Sequence, residues 1–442
     1  MILFYGFSFE NCVRRDGVFF YANTIIQILV FEWRFLNMRA YERLVRSVQV
    51  HTASAEDTSV TPTTQRQFDL SRLLAKEMEE LGMEGVFVDE HAYTYGFLPA
   101  TPGLENKPCI GLIAHLDTIP DFSGENVKPT LVENYDGGII PLGKSGRVLD
   151  PEQFPHLKKL IGHTIVTTDG TTVLGADDKA GIAEIMTACE RVIAERIPHG
   201  RIAVCFTPDE EVGHGAALLD LERFGADFAY TVDGGETNEV NCETFNAAGA
   251  VLEVKGFNIH PGSAKDQMIN AALVAMECNA LRPAAERPEH TEGHEGFFHL
   301  TEMSGTVEKA ELHYIVRDHD AASFAAREKT LRQVEKYINE KYGKGTVKLT
   351  IREQYRNMIE KLQENMQVVE LAEKAIRAEG MEPVRVPVRG GTDGAQLSFR
   401  GLLCPNLGTG GYCCHGPHEH ASAQEMDKAT NVLLGIIRLN AE

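Results

Sequence analysis

Four short acidic segments in this sequence follow apolar runs or open a helix, and they carry residue types that bind metal ions or move protons. The first is Ala114-His115-Leu116-Asp117-Thr118. Residues two apart in a strand point to the same side, so His115 and Asp117 face one spot and Leu116 turns away. A neutral imidazole is a common zinc ligand, and a carboxylate beside it can hold the ring and keep it basic. The second is Gly175-Ala176-Asp177-Asp178-Lys179-Ala180-Gly181, at the start of a predicted helix. Its acids could cap that helix, and a carboxylate at this turn could also bridge two cations. The third is Thr207-Pro208-Asp209-Glu210-Glu211-Val212-Gly213, directly after an apolar strand. Three consecutive acids there are costly unless solvated or paired with cations. Two adjacent glutamates can divide the work: one binds metal, and the other moves protons without being a ligand.

The fourth segment, Val232-Asp233-Gly234-Gly235, reads as a turn or as a strand-end carboxylate that reaches a metal. Near the C-terminus, His415, His418 and His420 fall within six residues, beside Cys413 and Cys414. A surface cluster has this pattern, and so does a distant segment that supplies one ligand. Each item alone has a plain structural reading: a buried His–Asp pair, a helix cap, a solvated loop, a turn. Together they give His, Asp, Glu, Asp and His at strand ends, enough for two metals with a spare Asp and Glu. The HExxH pattern is absent. A two-cation clamp can lower the pKa of a shared water and polarise a carbonyl.

These segments need elements that aim them. The sequence predicts helices at 65–81, 179–195 and 216–224, and strands at 109–114, 201–207 and 227–232. Such alternation specifies an α/β sheet covered on both faces, with its sites at the strand ends. The rhythm changes near Asn241. A β segment at 244–256, a helix at 266–280, two strands within 305–316, a helix at 321–342 and a strand at 346–351 follow in turn. This order predicts an inserted α+β sandwich of about 110 residues. The α/β pattern resumes with helices at 364–379 and 423–439 around a Gly-rich stretch at 389–394.

Composition sets the outer limits. The chain has 442 residues and a formal net charge of −21, from 43 Lys+Arg against 64 Asp+Glu. That surplus of acid argues against nucleic acid or an anionic membrane as partner, since both are polyanions. It does not argue against cations. Nine cysteines without a CxxC pair fit a reducing compartment, so a cytoplasmic location is expected. Residues 1–37 differ from the rest: they hold seven of the 21 Phe and the only Trp, at zero formal charge. Their apolar stretch is too short for a bilayer, which needs about 20 residues. Met38 is expected as the natural start, with 1–37 a spurious or disordered extension.

The texts HLDT, GADDKAG, TPDEEVG, DGG, NIHPGSAK, RGGTDGAQLS and CHGPHE occur in that order. In order and spacing they resemble the M20 family of co-catalytic zinc peptidases over residues 38–442. The resemblance implies an α/β catalytic domain with a mixed sheet covered by helices, formed by 38–243 and 357–442. It also implies a ferredoxin-like lid and dimerisation domain inserted at 244–356, and hence a homodimer. By the same resemblance, His115 and Asp233 would bind one Zn2+, Glu211 and His415 the other, and Asp177 both. His415 is taken over His418 because the family ligand lies four residues before a Glu, here Glu419. Asp117 would orient His115. Glu210 would be the general base for the attacking water and then the acid for the leaving amine. His260 and Arg317 would contact the substrate, and Arg389 and Thr392 would line the same pocket.

The implied reaction is removal of the N-terminal residue from tripeptides, with two Zn2+ or other divalent metals per chain. Two other readings stand beside it. One is another M20-type amide hydrolase: a dipeptidase, carboxypeptidase or N-acyl amino acid deacylase. The other is an inactive metal-binding scaffold, against which the intact Glu210–Glu211 pair speaks. Asp178 stands where the family's tripeptide-cleaving members often have Asn. Cys413 and Cys414 stand where bulkier residues are common, and a cysteine so placed could compete for zinc.

Overall fold

Every residue of the apolar runs Ile110–His115 and Ile202–Thr207 is buried, and the two pair in parallel at the centre of a sheet. They belong to a computed structural model that describes residues 38–56 and 59–442. The expectation for residues 1–37 lies outside those described. Residues Ala40–Glu442 pack as one unit.

The sheet has eight strands. Their order across it is Glu84–Val88, Thr94–Leu98, Ile202–Thr207, Ile110–His115, Phe228–Gly234, Asn406–Gly408, Glu239–Asn241 and Val384–Arg385. The four strands at its centre, from Ile202–Thr207 to Asn406–Gly408, run parallel, and Thr94–Leu98 and Glu239–Asn241 pair antiparallel with them on either side, so the sheet is mixed. Side chains alternate between its faces. Ile110, Leu112 and Ala114 join a core with the helices Gln67–Glu80, Ala176–Ala194, Gln367–Ala378 and Ala423–Ala441. Ile113 and Cys205 face the other way, onto Leu219, Phe224 and Leu397. Burial on both faces explains why these strands read as unbroken apolar runs.

The predicted helix at 216–224 shrinks to Leu221–Phe224. Its earlier N–H groups are claimed elsewhere: Leu218 donates to the Tyr93 hydroxyl and Asp220 to the Tyr95 hydroxyl. The Asp220 carboxylate then accepts from the Arg223 N–H and starts the helix there.

Residues 246–355 form a second sheet, in the order Phe297–Gly305, Lys309–Asp318, Asn246–Lys255, Val347–Tyr355. All its neighbours are antiparallel. The helices Ala271–Ala280 and Ala321–Tyr342 share its core. The order strand–helix–strand–strand–helix–strand is ferredoxin-like. Its hairpin begins earlier than the sequence suggests. Phe297–Gly305 is mostly exposed, so it lacks the apolar run that marks a strand, and the turn falls where Thr306 N–H donates to Lys309 O. The chain's two crossings into this sheet are tied together. Thr244 N–H donates to Asn357 Oδ1, Asn357 N–H to Asn246 Oδ1, and Met358 N–H to Thr244 Oγ1. Among the described residues no helix is long and apolar enough to cross a membrane.

Candidate metal centre

Register brings the acidic segments together. His115 lies opposite Thr207, and Ile113 lies opposite Thr231. Asp233, two residues past Thr231, is therefore level with His115, and the turn 209–211 follows directly from Thr207. The helix Ala176–Ala194 packs across the same strand ends. Gly181 makes that approach possible, because a Cβ there would overlap the Val232 carbonyl oxygen. Asp177 and Asp178 have non-helical dihedrals at the helix start, and the peptide bond between them is cis.

Asp177 sits between two imidazoles. His115 Nε2 is 2.9 Å from its Oδ1, and His415 Nε2 is 3.0 Å from its Oδ2. His115 Nε2 is also 3.7 Å from Asp233 Oδ1, and His415 Nε2 is 3.1 Å from Glu211 Oε2. His115 Nδ1 lies 3.0 Å from the Asp117 carbonyl oxygen, which can only accept. Nδ1 therefore carries a proton, and Nε2 is the ring atom that faces the carboxylates. The Asp117 carboxylate accepts the Glu210 and Glu211 N–H groups, so one buried acid positions both glutamates and flanks His115. Asp209 is an anchor: its carboxylate accepts from Thr63 and Gln67.

The site is an acid excess. Burial pushes the Glu211 carboxyl up to about 7 and Asp233 to about 6. Burial, with Asp233 adding, holds Glu210 well above the usual range. Burial opposes charging of His115, but the carboxylates of Asp233, Asp117 and Asp177 outweigh it and raise its pKa. Hydrogen bonds to Asp177 and Glu211 raise His415 to about 11. Among the described residues, no Lys or Arg forms an ion pair with Asp177, Glu210, Glu211 or Asp233. Such a set fits two divalent cations: hard oxygens, two aimed Nε2 atoms, and one carboxylate with an oxygen toward each. The groups His115–Asp178–Asp233 and His115–Asp177–Glu211 each bring ligand atoms within 4.8 Å of one another.

These acids line a cavity of about 350 Å³, with Glu210, Thr392 and His415 on its wall. Thr392 also caps the helix Asp393–Phe399 by accepting the Ala395 N–H. Three residues expected to contact substrate are not among those lining this cavity. His260 is exposed, and its Nδ1 accepts from Gly262 N–H. Arg317 donates to the carbonyls of Ala248 and Val316 and stacks over Tyr355, which packs on Gly391 at the cavity wall. Arg389 donates to the carbonyls of Gly293 and Glu295 and to Thr291 Oγ1.

Three more buried acids complete the site: Asp178, expected as an extra acid near the metals, and Glu419 and Asp393, which were given no role there. Asp178 accepts from the N–H groups of His115 and Gly181. Glu419 accepts from those of Gly175 and Asp177 and so fixes the Asp177 backbone. Asp393 accepts from the Thr207 hydroxyl, and burial raises its carboxyl to about 7. The text RGGTDGAQLS contained Asp393, and Glu419 served only as a spacing marker for His415.

The mixed sheet, the inserted domain and the acids at the strand ends define a peptidase class. The description of peptidase family M20/M25/M40 matches residues 171–439, and the chain belongs to that family. It is similar to a protein named peptidase T from Clostridium perfringens (strain 13 / Type A), 50% identical over 405 residues, covering 91% of this chain and 99% of that one. A peptidase T from Caldanaerobacter subterraneus subsp. tengcongensis is 47% identical over 403 residues, covering 91% and 98%. Among solved structures, aminopeptidase PepT from Bacillus cereus superposes with a TM-score of 0.74 at 23% identity, over 92% of this chain and 100% of that one. A dinuclear metal-binding peptidase of the M20 family from Bacillus subtilis gives 0.60 at 14% identity, over 93% and 98%. These two likenesses show the fold.

Proposed function

We propose that this protein is an aminopeptidase that releases the N-terminal residue of tripeptides, using two Zn2+ ions. The observation that carries this is Asp177, with a histidine Nε2 at about 3 Å from each of its oxygens and Glu210 on the same cavity wall. Identity near 50% to proteins named peptidase T supports the substrate class.

His115 and Asp233 would hold one ion, Glu211 and His415 the other, and Asp177 both. Bound there, the two ions supply Lewis acidity: they acidify water and polarise the scissile carbonyl. The chain's own residues do the rest. Asp117 holds the 210–211 turn and His115 in place. Glu210, with its carboxyl raised by burial, takes a proton from the attacking water and delivers it to the leaving amine. Thr392 closes one wall beside the substrate. His260 and Arg317 would reach the substrate only from the inserted domain, which we read as residues 244–356 and as the dimer contact. Arg389 holds that domain. The eight cysteines among the described residues are free thiols, which supports a cytoplasmic location.

The test is a panel of tripeptides, dipeptides and N-acyl amino acids, run with a metal count. Tripeptides should be cleaved fastest and lose their first residue, with two Zn2+ per chain at the strand ends. Faster release of an acyl group or a C-terminal residue would overturn the proposal.

A further inference from the structure

The segment 413–420 carries more donor groups than the strand-end centre uses. His415 and Glu419 serve that centre; Cys413 and His420 do not. Both meet a histidine from far along the chain. His156, in the short 3-10 helix Pro155–Leu160, brings its Nε2 to 2.9 Å from His420 Nε2. The Cys413 Sγ completes a group whose three ligand atoms lie within 4.8 Å of one another.

His420 is fully buried, and its Nδ1 lies 2.8 Å from the His418 carbonyl oxygen. That oxygen can only accept, so Nδ1 carries the proton and the Nε2 lone pair points at His156. Metal-ligating histidines are held in this way, with one ring nitrogen on a backbone carbonyl. Tyr412 stacks on His156 at 4.6 Å and 6°, which fixes the second ring. Two nitrogens bound to one tetrahedral Zn2+ stand about 3.3 Å apart, given Zn–N bonds of about 2.0–2.1 Å. A shift of a few tenths of an ångström from the 2.9 Å seen here makes that room.

We propose that His156, Cys413 and His420 bind one further divalent cation of the Zn2+ type, separate from the strand-end pair. On binding, the Cys413 S–H bond breaks and its proton leaves to solvent. The His156 proton moves from Nε2 to Nδ1 through solvent, and one S–metal and two N–metal bonds form. Nothing is oxidised or reduced, and one proton is released per ion. The thiolate selects against Mg2+ and Ca2+, which take oxygen ligands. The ion joins residues 155–160 to both ends of the segment that presents His415, so it is a clamp on that segment.

The test compares full-length wild type with Cys413→Ser and His156→Phe, each first checked for folding by circular dichroism. After loading with Zn2+ and gel filtration, each variant should hold one equivalent of zinc fewer than wild type. Asp177→Ala, which disturbs the strand-end centre, should keep this ion, so the two sites fail separately. Loaded with Co2+, wild type, Asp177→Ala and Cys414→Ser should show a thiolate-to-cobalt charge-transfer band, and Cys413→Ser should not. Equal zinc in wild type and both variants overturns the proposal. So does a cobalt–thiolate band that survives Cys413→Ser and vanishes in Cys414→Ser.

Discussion

The helix Ala176–Ala194 buries acids at both ends, in two different ways. Toward its C-terminal end, Glu190 is met by Arg43, whose guanidinium lies 2.8 Å from Glu190 and 2.8 Å from Glu77. At its N-terminal end, Asp177 faces two imidazoles, and Asp233, Glu210 and Glu211 crowd the same cavity. Buried charge needs a partner, and breaking a buried pair costs far more than forming it yields. Where the chain supplies its own cation, the acid is part of the packing. Where it brings acids together around two histidine Nε2 atoms, the set fits positive charge supplied from outside as metal.

Substitutions at either end should part this contrast cleanly. The largest effect is expected from Asp177→Ala, which removes the carboxylate shared by both halves of the centre. Strand-end zinc should fall below two per chain and turnover should collapse, read by elemental analysis and a tripeptide assay. Two retained strand-end ions would remove Asp177 from its assigned place. Glu210→Gln should come next: turnover lower by about 10²–10⁴-fold with zinc content unchanged. Near wild-type turnover would show that Glu210 is not the base.

Arg43→Met should act only on folding. It leaves Glu190 buried and Glu77 partly buried without their cation, at a cost of about 3–5 kcal/mol in urea unfolding, with zinc content and turnover per folded molecule unchanged. The smallest effect is expected midway along the helix at Glu184. Its carboxylate oxygens are buried and have no hydrogen-bond partner among the described residues. Burial, with Asp427 adding, holds this carboxyl well above its ordinary value of 4.5. A raised carboxyl stabilises the fold fully below the unfolded pKa, and that contribution is lost as pH rises toward the folded one. Glu184→Gln should therefore gain on wild type in urea midpoint between pH 5 and pH 8; an unchanged difference would show that Glu184 is not perturbed.

The strand-end acids were legible because chemistry and pattern coincide there: polar groups that follow an apolar strand have little to do except form turns or bind. The central strands were legible for the same reason. The edge strand Phe297–Gly305 was not, since its stretch 301–305 is exposed throughout and carries no apolar run. Arg389 shows a second limit. Its neighbours Gly391 and Thr392 line the cavity, but a loop side chain two residues away can be held by carbonyls of the inserted domain. Glu419 and Asp178 act through backbone N–H groups distant in sequence, and only the folded chain reveals those partners.

Gly181 has a consequence for how this gene tolerates change. With a Cβ forced into the Val232 carbonyl, no substitution can be absorbed by a rotamer shift, because the nearest obstacle is backbone. In a saturation library, this codon should be among the most intolerant in the chain, although its residue has no side chain and binds nothing. Alanine, the mildest replacement, would already lift the Asp177 turn from the Asp233 strand. A genetic screen would then score a glycine as essential beside the ligands it lets meet.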